Sequence, residues 1–117
     1  MYKIALVEDE KNLANLVVKY LEANNYEVTL YTTGEEAISN IDKKIDLWIL
    51  DIMLPGEISG HDLLKALRYK EKNIPIIFTS ARDKDIDKIV GLELGGDDYL
   101  AKPYSIRELV LRVKNII

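Results

Sequence analysis

The chain alternates between short apolar runs and longer segments whose apolar residues recur at helical spacing. The runs KIALV (3–7), DLWIL (46–50), IPIIFT (74–79) and the shorter DYLA (98–101) are rich in branched residues and apolar on both faces, as central strands of a parallel sheet are. EVTLY (27–31) alternates more and reads as an edge strand. Between the runs, 11–24 sets Leu13, Leu16, Val17, Tyr20 and Leu21 on one helical face, and 60–70 does the same with Leu63, Leu64 and Leu67. Ile86, Ile89, Val90 and Leu94 repeat the pattern in 84–94, as do Leu109, Val110, Val113 and Ile116 in 105–117. The weakest helix is 34–43, which opens at Gly34 and turns Ala37, Ile38 and Ile41 inward.

Strand and helix in strict alternation predict an α/β fold: a five-stranded parallel, doubly wound sheet with five flanking helices. Right-handed crossovers at this length favour the strand order 2-1-3-4-5. The crevice of such a sheet lies at the carboxyl ends of the strands where the winding reverses, here between strands one and three.

At 117 residues the chain reads as one domain, residues 1–117. A net charge of −4 leaves no footprint for nucleic acid, and no apolar run approaches the roughly 20 residues of a membrane span. The start, MYKIALVEDE, meets acidic residues too early for a signal peptide, which predicts a cytoplasmic protein without a membrane partner. The absence of cysteine removes disulfide and thiolate chemistry from consideration.

The strand ends carry the chemistry. Strand one runs into Glu8-Asp9-Glu10, strand three into Asp51, strand four into Thr79-Ser80, and strand five into Lys102-Pro103. The fold therefore gathers Glu8, Asp9 and Asp51, with a hydroxyl and an ammonium across from them. Three carboxylates in one pocket repel unless a cation sits among them, and an oxygen-only set suits Mg²⁺ with retained waters. A hydroxyl and a lysine beside such a centre are the donors that phosphoryl oxygens require. The cluster fits an Asp51 that takes a phosphoryl group as an acyl phosphate. Asp9, Asp51, the backbone carbonyl of Met53 and, through water, Glu8 are the expected ligands of Mg²⁺, with Mn²⁺ as the alternative ion.

The stretches LVEDE, LDIMLPG, PIIFTSA and GLELGGDDYLAKPYS, in that order and each at a predicted strand end, resemble the receiver domain of two-component response regulators over essentially the whole chain. The resemblance implies a CheY-like, flavodoxin-like fold, with Asp51 as phosphoacceptor and Glu8 with Asp9 as the acidic pair. It makes Ser80 the switch hydroxyl, Tyr99 the switch aromatic and Lys102 the phosphoryl-contacting lysine, with a cis Lys102-Pro103 peptide. It also implies a sensor histidine kinase as partner.

The resemblance is closest to regulators whose receiver precedes a winged-helix DNA-binding domain. In that subfamily activated receivers form homodimers through the fourth helix, fifth strand and fifth helix. The matching charged positions are Lys88, Glu93, Asp97, Asp98, Glu108 and Arg112, with Lys88 meeting Glu108 and Asp98 meeting Arg112 of the other subunit. A two-fold contact of opposite charges is self-complementary, and exposed pairs of this kind set register more than affinity. DNA would be reached only through a C-terminal output domain absent from this chain.

Three features depart from the pattern. The loop between Pro55 and Gly60 is one residue longer than usual, Ser80 stands where threonine is commoner, and the chain stops at Ile117, where a linker would follow. Met53 and Arg82, each two residues past a key position, are expected to tune the lifetime of the acyl phosphate. Two other classes fail on identifiable residues. A haloacid-dehalogenase-like phosphohydrolase wants an aspartate at the position of Met53, and a flavin or nucleotide carrier wants a phosphate-cradling loop where EDEKN stands. No turnover enzyme is expected. Glu10, Asp46, Asp62 and His61 read as surface or caps, and Trp48 as core.

Overall fold

The computed structural model describes residues 1–80, 92–93 and 95–117. Five strands, β1 (Lys3–Val7), β2 (Glu27–Tyr31), β3 (Leu47–Asp51), β4 (Ile76–Ser80) and β5 (Asp98–Ala101), form one parallel sheet in the order β2-β1-β3-β4-β5. Four helices are described: α1 (Lys11–Ala23), α2 (Gly34–Ser39), α3 (Gly60–Lys70) and α4 (Ile106–Ile116), the last being the helix expected over 105–117. Most of the helix expected over 84–94, with Arg82 and Lys88, lies outside the described residues.

The strands alternate their side chains between two cores, one on each face of the sheet. Ala5, Val7, Trp48, Leu50, Ile76 and Phe78 pack against α2 and α3 through Ala37, Leu63, Leu64 and Leu67. Ile4, Leu6, Leu47, Ile49, Ile77 and Leu100 pack against α1 and α4 through Val17, Leu21, Leu109, Val110 and Val113. β3 and β4 are buried on every residue, as their unbroken apolar runs require. Among the described residues no helix is long and apolar enough to cross a membrane.

The differences from the sequence reading are local. β3 begins at Leu47 because Asp46 caps the neighbouring strand, its carboxylate accepting from Lys3 N–H at 2.7 Å. β4 begins at Ile76, after Pro75, which has no N–H to give the ladder. α2 stops at Ser39, where the Asn40 amide turns back onto the Glu36 carbonyl at 2.8 Å. On α1 the buried line is Ala14, Val17 and Leu21, so Leu16 and Tyr20 stand exposed beside Ile106, Val110 and Leu111 of α4. His61 is half-buried rather than a plain surface residue, and its Nε2 is enclosed by protein. Trp48 is core, stacked on Tyr31 with ring centroids 6.1 Å apart.

Candidate functional site

Glu8 follows β1 directly, and its N–H extends the ladder by donating to the Tyr31 carbonyl at 2.9 Å. That backbone bond keeps Glu8 at 2 % exposure although it is an ionisable residue. Its Oε2 accepts from Glu10 N–H at 3.0 Å. Asp51 closes β3 at 3 % exposure, with Oδ1 accepting from Met53 N–H at 3.0 Å. Asp9 is exposed beside them, and one carboxylate oxygen from each of Glu8, Asp9 and Asp51 falls within 4.8 Å of the other two.

The cation facing Asp51 here is Lys102. The Lys102 N–H donates to the Ser80 carbonyl at 2.7 Å, tying the end of β5 to the end of β4. Its Nζ reaches 2.8 Å from Asp51 Oδ2 and 2.5 Å from Glu8 Oε1, so one ammonium bridges two carboxylates from two strands. The following Lys102–Pro103 peptide is cis.

Burial is the main reason the Glu8 and Asp51 pKa values are raised above the usual carboxylate range; the bonds to Lys102 oppose that shift without cancelling it. Burial pulls the Lys102 ammonium down, but the two carboxylates outweigh it and leave its pKa above 10.5. Three carboxylates face this one ammonium, so the pocket is short of positive charge even with Lys102 in place. Converging oxygen donors in that condition fit a hard divalent cation with retained waters.

The loop after Asp51 is built tightly. Gly60, at the start of α3, lies so close that a Cβ there would stand 2.2 Å from the Asp51 carbonyl oxygen and 2.4 Å from Ile52 Cα. Only glycine allows that approach, which brings the helix start against the phosphoacceptor candidate. Ser59 and Asp62 form a capping box on α3. The loop between Pro55 and Gly60 turns at Gly56, at φ +89, and is tied down by Glu35, whose Oε2 accepts from Glu57 N–H at 3.1 Å.

Ser80 and Thr79 are both buried at the end of β4, paired in register with Ala101 and Leu100. Tyr99 is half-buried on β5, its ring 5.0 Å from that of Phe78. On the β5–α4 face the Arg112 guanidinium donates to both Asp98 oxygens at 2.8 Å and to Glu108 at 2.9 and 3.2 Å, all within one chain. Glu93 is exposed. Asp97 turns away from Arg112 and accepts from Arg68 and from Ile76 N–H.

Two residues of interest escaped the sequence reading. Tyr104, two past Lys102, lies in the electrostatic field of the site. Burial first, then the Glu8 charge, push its phenol up to about 12. Its place just after Lys102-Pro103 was the available signal. Arg68 gave none, because its partners come from segments distant in sequence.

A family model for the response regulator receiver domain matches residues 4–114. The transcriptional regulatory protein CssR of Bacillus subtilis is 48% identical over 116 residues, covering 99% of this chain and 51% of its own length. This chain thus spans about half of that relative. The receiver domain of the Francisella response regulator 1452 superposes with a TM-score of 0.91 at 38% identity, covering 99% of this chain and 96% of that one. The Thermotoga maritima response regulator TrrA, solved in complex with Mg²⁺ and a beryllium fluoride, gives 0.88 at 32% identity over the full length of both chains.

Proposed function

The chain belongs to the response regulator receiver family, and from that premise we propose that it is a phosphorylation-controlled switch with Asp51 as the phosphoacceptor. The observation that carries this reading is the Lys102 ammonium, held between buried Asp51 and buried Glu8 with Asp9 alongside.

The donor is the phosphohistidine of a sensor histidine kinase. An Asp51 carboxylate oxygen attacks phosphorus, a P–O bond forms as the P–N bond breaks, and the imidazole nitrogen leaves with the electron pair and takes up a proton. Asp9, Asp51, the Met53 carbonyl and, through water, Glu8 hold Mg²⁺ or Mn²⁺, which supplies charge neutralisation for the transferring group. Lys102 is already 2.8 Å from Asp51, and it trades its carboxylate contacts for the phosphoryl oxygens. Ser80 is the hydroxyl that closes on those oxygens, and Tyr99 follows by turning inward.

The readout is the surface formed by the helix expected over 84–94, which would carry Lys88 and Glu93, together with Asp97 and Asp98 at the start of β5 and Glu108 and Arg112 on α4. Dimerisation there exchanges the intrachain Asp98–Arg112 pair for the same pair across a two-fold axis. The longer regulator would turn that assembly into transcriptional output in the cytoplasm. In this role the domain accepts and loses a phosphoryl group and does not turn over an external substrate.

Acetyl phosphate with Mg²⁺ tests the reading. Acid-stable, hydroxylamine-labile label on the wild type and none on Asp51→Asn is the expected result. Label retained by Asp51→Asn would sink the assignment. Trp48 fluorescence with beryllofluoride, and sizing of the same samples, report the switch and the dimer.

A further inference from the structure

β5 is the shortest strand of the sheet, and it leads directly into Lys102. It has four residues, lies at an edge and, among the described residues, pairs with β4 alone. So short an edge strand has few ladder bonds to hold it, yet Lys102 must leave this one aimed at Asp51 and Glu8. Something has to fix where β5 starts.

That element is Arg68, in the last turn of α3, with its side chain only 16% exposed. Its Nε donates to the Gly95 carbonyl at 2.8 Å, and Nη2 donates to the same oxygen. Nη1 donates to the carbonyls of Lys72 and Ile74, in the connection leading into β4. Nη2 also donates to Asp97 Oδ2 at 2.8 Å. That carboxylate oxygen accepts from Ile76 N–H at 2.7 Å, while Asp97 N–H donates to the Ile76 carbonyl at 2.8 Å. One planar fork thus clasps the end of α3, the approach to β4 and the approach to β5. A lysine could not reproduce it, because an ammonium lacks the fixed set of donors. Gly95 is required twice over, since its φ is +102 and a Cβ there would fall 2.7 Å from Arg68 Nε.

Four residues, those of β5, separate Asp97 from Lys102, and they are paired residue by residue with β4, from Ile77↔Asp98 to Ser80↔Ala101. An extended strand transmits a shift at one end to the other with little loss. We infer that Arg68 is a positioning residue for the phosphoryl site: by clasping Gly95 and Asp97 it sets the start of β5 against β4 and thereby holds Lys102 over Asp51 and Glu8. The inference rests on the phosphoacceptor reading of that site.

The test compares wild type, Arg68→Ala, Lys102→Ala and the double variant, each checked for folding by circular dichroism. Acyl-phosphate formation from acetyl phosphate in Arg68→Ala should fall about fivefold, the size usual for residues that act through a packed network. Mg²⁺ affinity should stay put, because its proposed ligands sit on or just beyond β1 and β3. The double variant should label no more slowly than Lys102→Ala alone, and the side-chain ammonium NMR signal of Lys102 should lose its bonded position in Arg68→Ala. Arg68→Lys should rescue little.

Unchanged labelling and an unchanged Lys102 signal in a folded Arg68→Ala would overturn the inference. So would an Arg68 loss that adds in full to the Lys102 loss, or Mg²⁺ affinity falling in step with labelling. If Arg68→Ala does not fold, Asp97→Asn keeps the question open to refutation. That variant retains an acceptor for Ile76 N–H but loses the ion pair, and it should shift the same signal in the same direction. A wild type that takes no label fails the phosphoacceptor reading, whereas a labelled wild type indifferent to Arg68 fails this inference alone.

Discussion

Two places in the molecule have the same composition, one cation bridging two carboxylates, and differ in almost every consequence. At the carboxyl ends of the central strands Lys102 joins Asp51 and Glu8, with side chains 15, 4 and 2 % exposed. On the β5–α4 face Arg112 joins Asp98 and Glu108, at 37, 25 and 47 %. The first set is placed by backbone: Glu8 by the extended β1–β2 ladder, Asp51 by β3, Lys102 by its bond to Ser80. The second is placed by side chains reaching across a surface, one pair of them simply an i,i+4 neighbour on a helix. Burial is what separates a strained site, short of positive charge, from a solvated clasp.

Removing the cation from each set should expose the difference most strongly. Lys102→Met leaves Glu8 and Asp51 buried and uncompensated, a situation that costs about 3–5 kcal/mol at neutral pH. The loss should depend on pH. Glu8 and Asp51 have folded pKa values raised above 4.5 and 3.8. The native state therefore binds more protons than the unfolded one just above those values, and stability falls as pH rises through that window. Without Lys102 the raise grows and the window widens upward. The variant should then come close to wild type near pH 4 and fall progressively below it toward pH 8. Mg²⁺ should restore much of the deficit, by an amount growing with its concentration. Urea midpoints across pH, with and without Mg²⁺, check all three. A Lys102→Met deficit that is flat with pH would mean the carboxylates are better solvated than their exposure says.

Tyr104 sharpens the same contrast from the alkaline side. Its phenol titrates near 12 in the folded chain against 10 for the ordinary group, so the folded state keeps a proton that the unfolded one has given up. Stability should fall as pH rises from 10 to 12, by about 1–2 kcal/mol after allowing for partial exposure. Tyr104→Phe should remove that slope. The loss that remains belongs to Lys102, whose own proton is held above its usual range and released as pH climbs past it. Phenolate absorbance followed alongside circular dichroism distinguishes the two.

The same division explains what could be read from the sequence. The strands and the acidic cluster were legible because each depends on local order: unbroken apolar runs become β3 and β4, and the residue after each run lies at the crevice by topology alone. Asp51, Glu8, Asp9 and Lys102 came together for that reason. Where tertiary choice decides, the pattern was ambiguous. Leu16 and Tyr20 share the periodicity of Val17 and Leu21, yet they fall outside the contact that α1 makes with the sheet. Asp97 and Asp98 look equivalent in GGDDY, but the first is captured by Arg68 at the start of β4 and the second by Arg112 on α4. Nothing in the adjacent letters states which aspartate faces which arginine. Lys102 was expected to wait for phosphoryl oxygens, and its bridging of Glu8 follows from a burial depth that the letters do not encode.

The smallest effect is the one that would break the comparison if it came out large. Arg112→Met removes a guanidinium bonded to two carboxylates, and by contact count alone it should match the loss of Lys102. Exposure says otherwise. Water and mobile ions already solvate Asp98 and Glu108, and pairs of this kind contribute about 0.2–1 kcal/mol. Screening adds a second signature, since at 1 M salt the Debye length shrinks to about 3 Å and exposed charges scarcely feel each other. The Arg112→Met deficit should therefore fade between low salt and 1 M salt, while that of Lys102→Met persists because its partners are shielded from the solvent ions. A salt-resistant loss above about 1.5 kcal/mol for Arg112→Met would mean that the β5–α4 clasp is desolvated in solution. The surface proposed for dimerisation would then already be covered by something other than water.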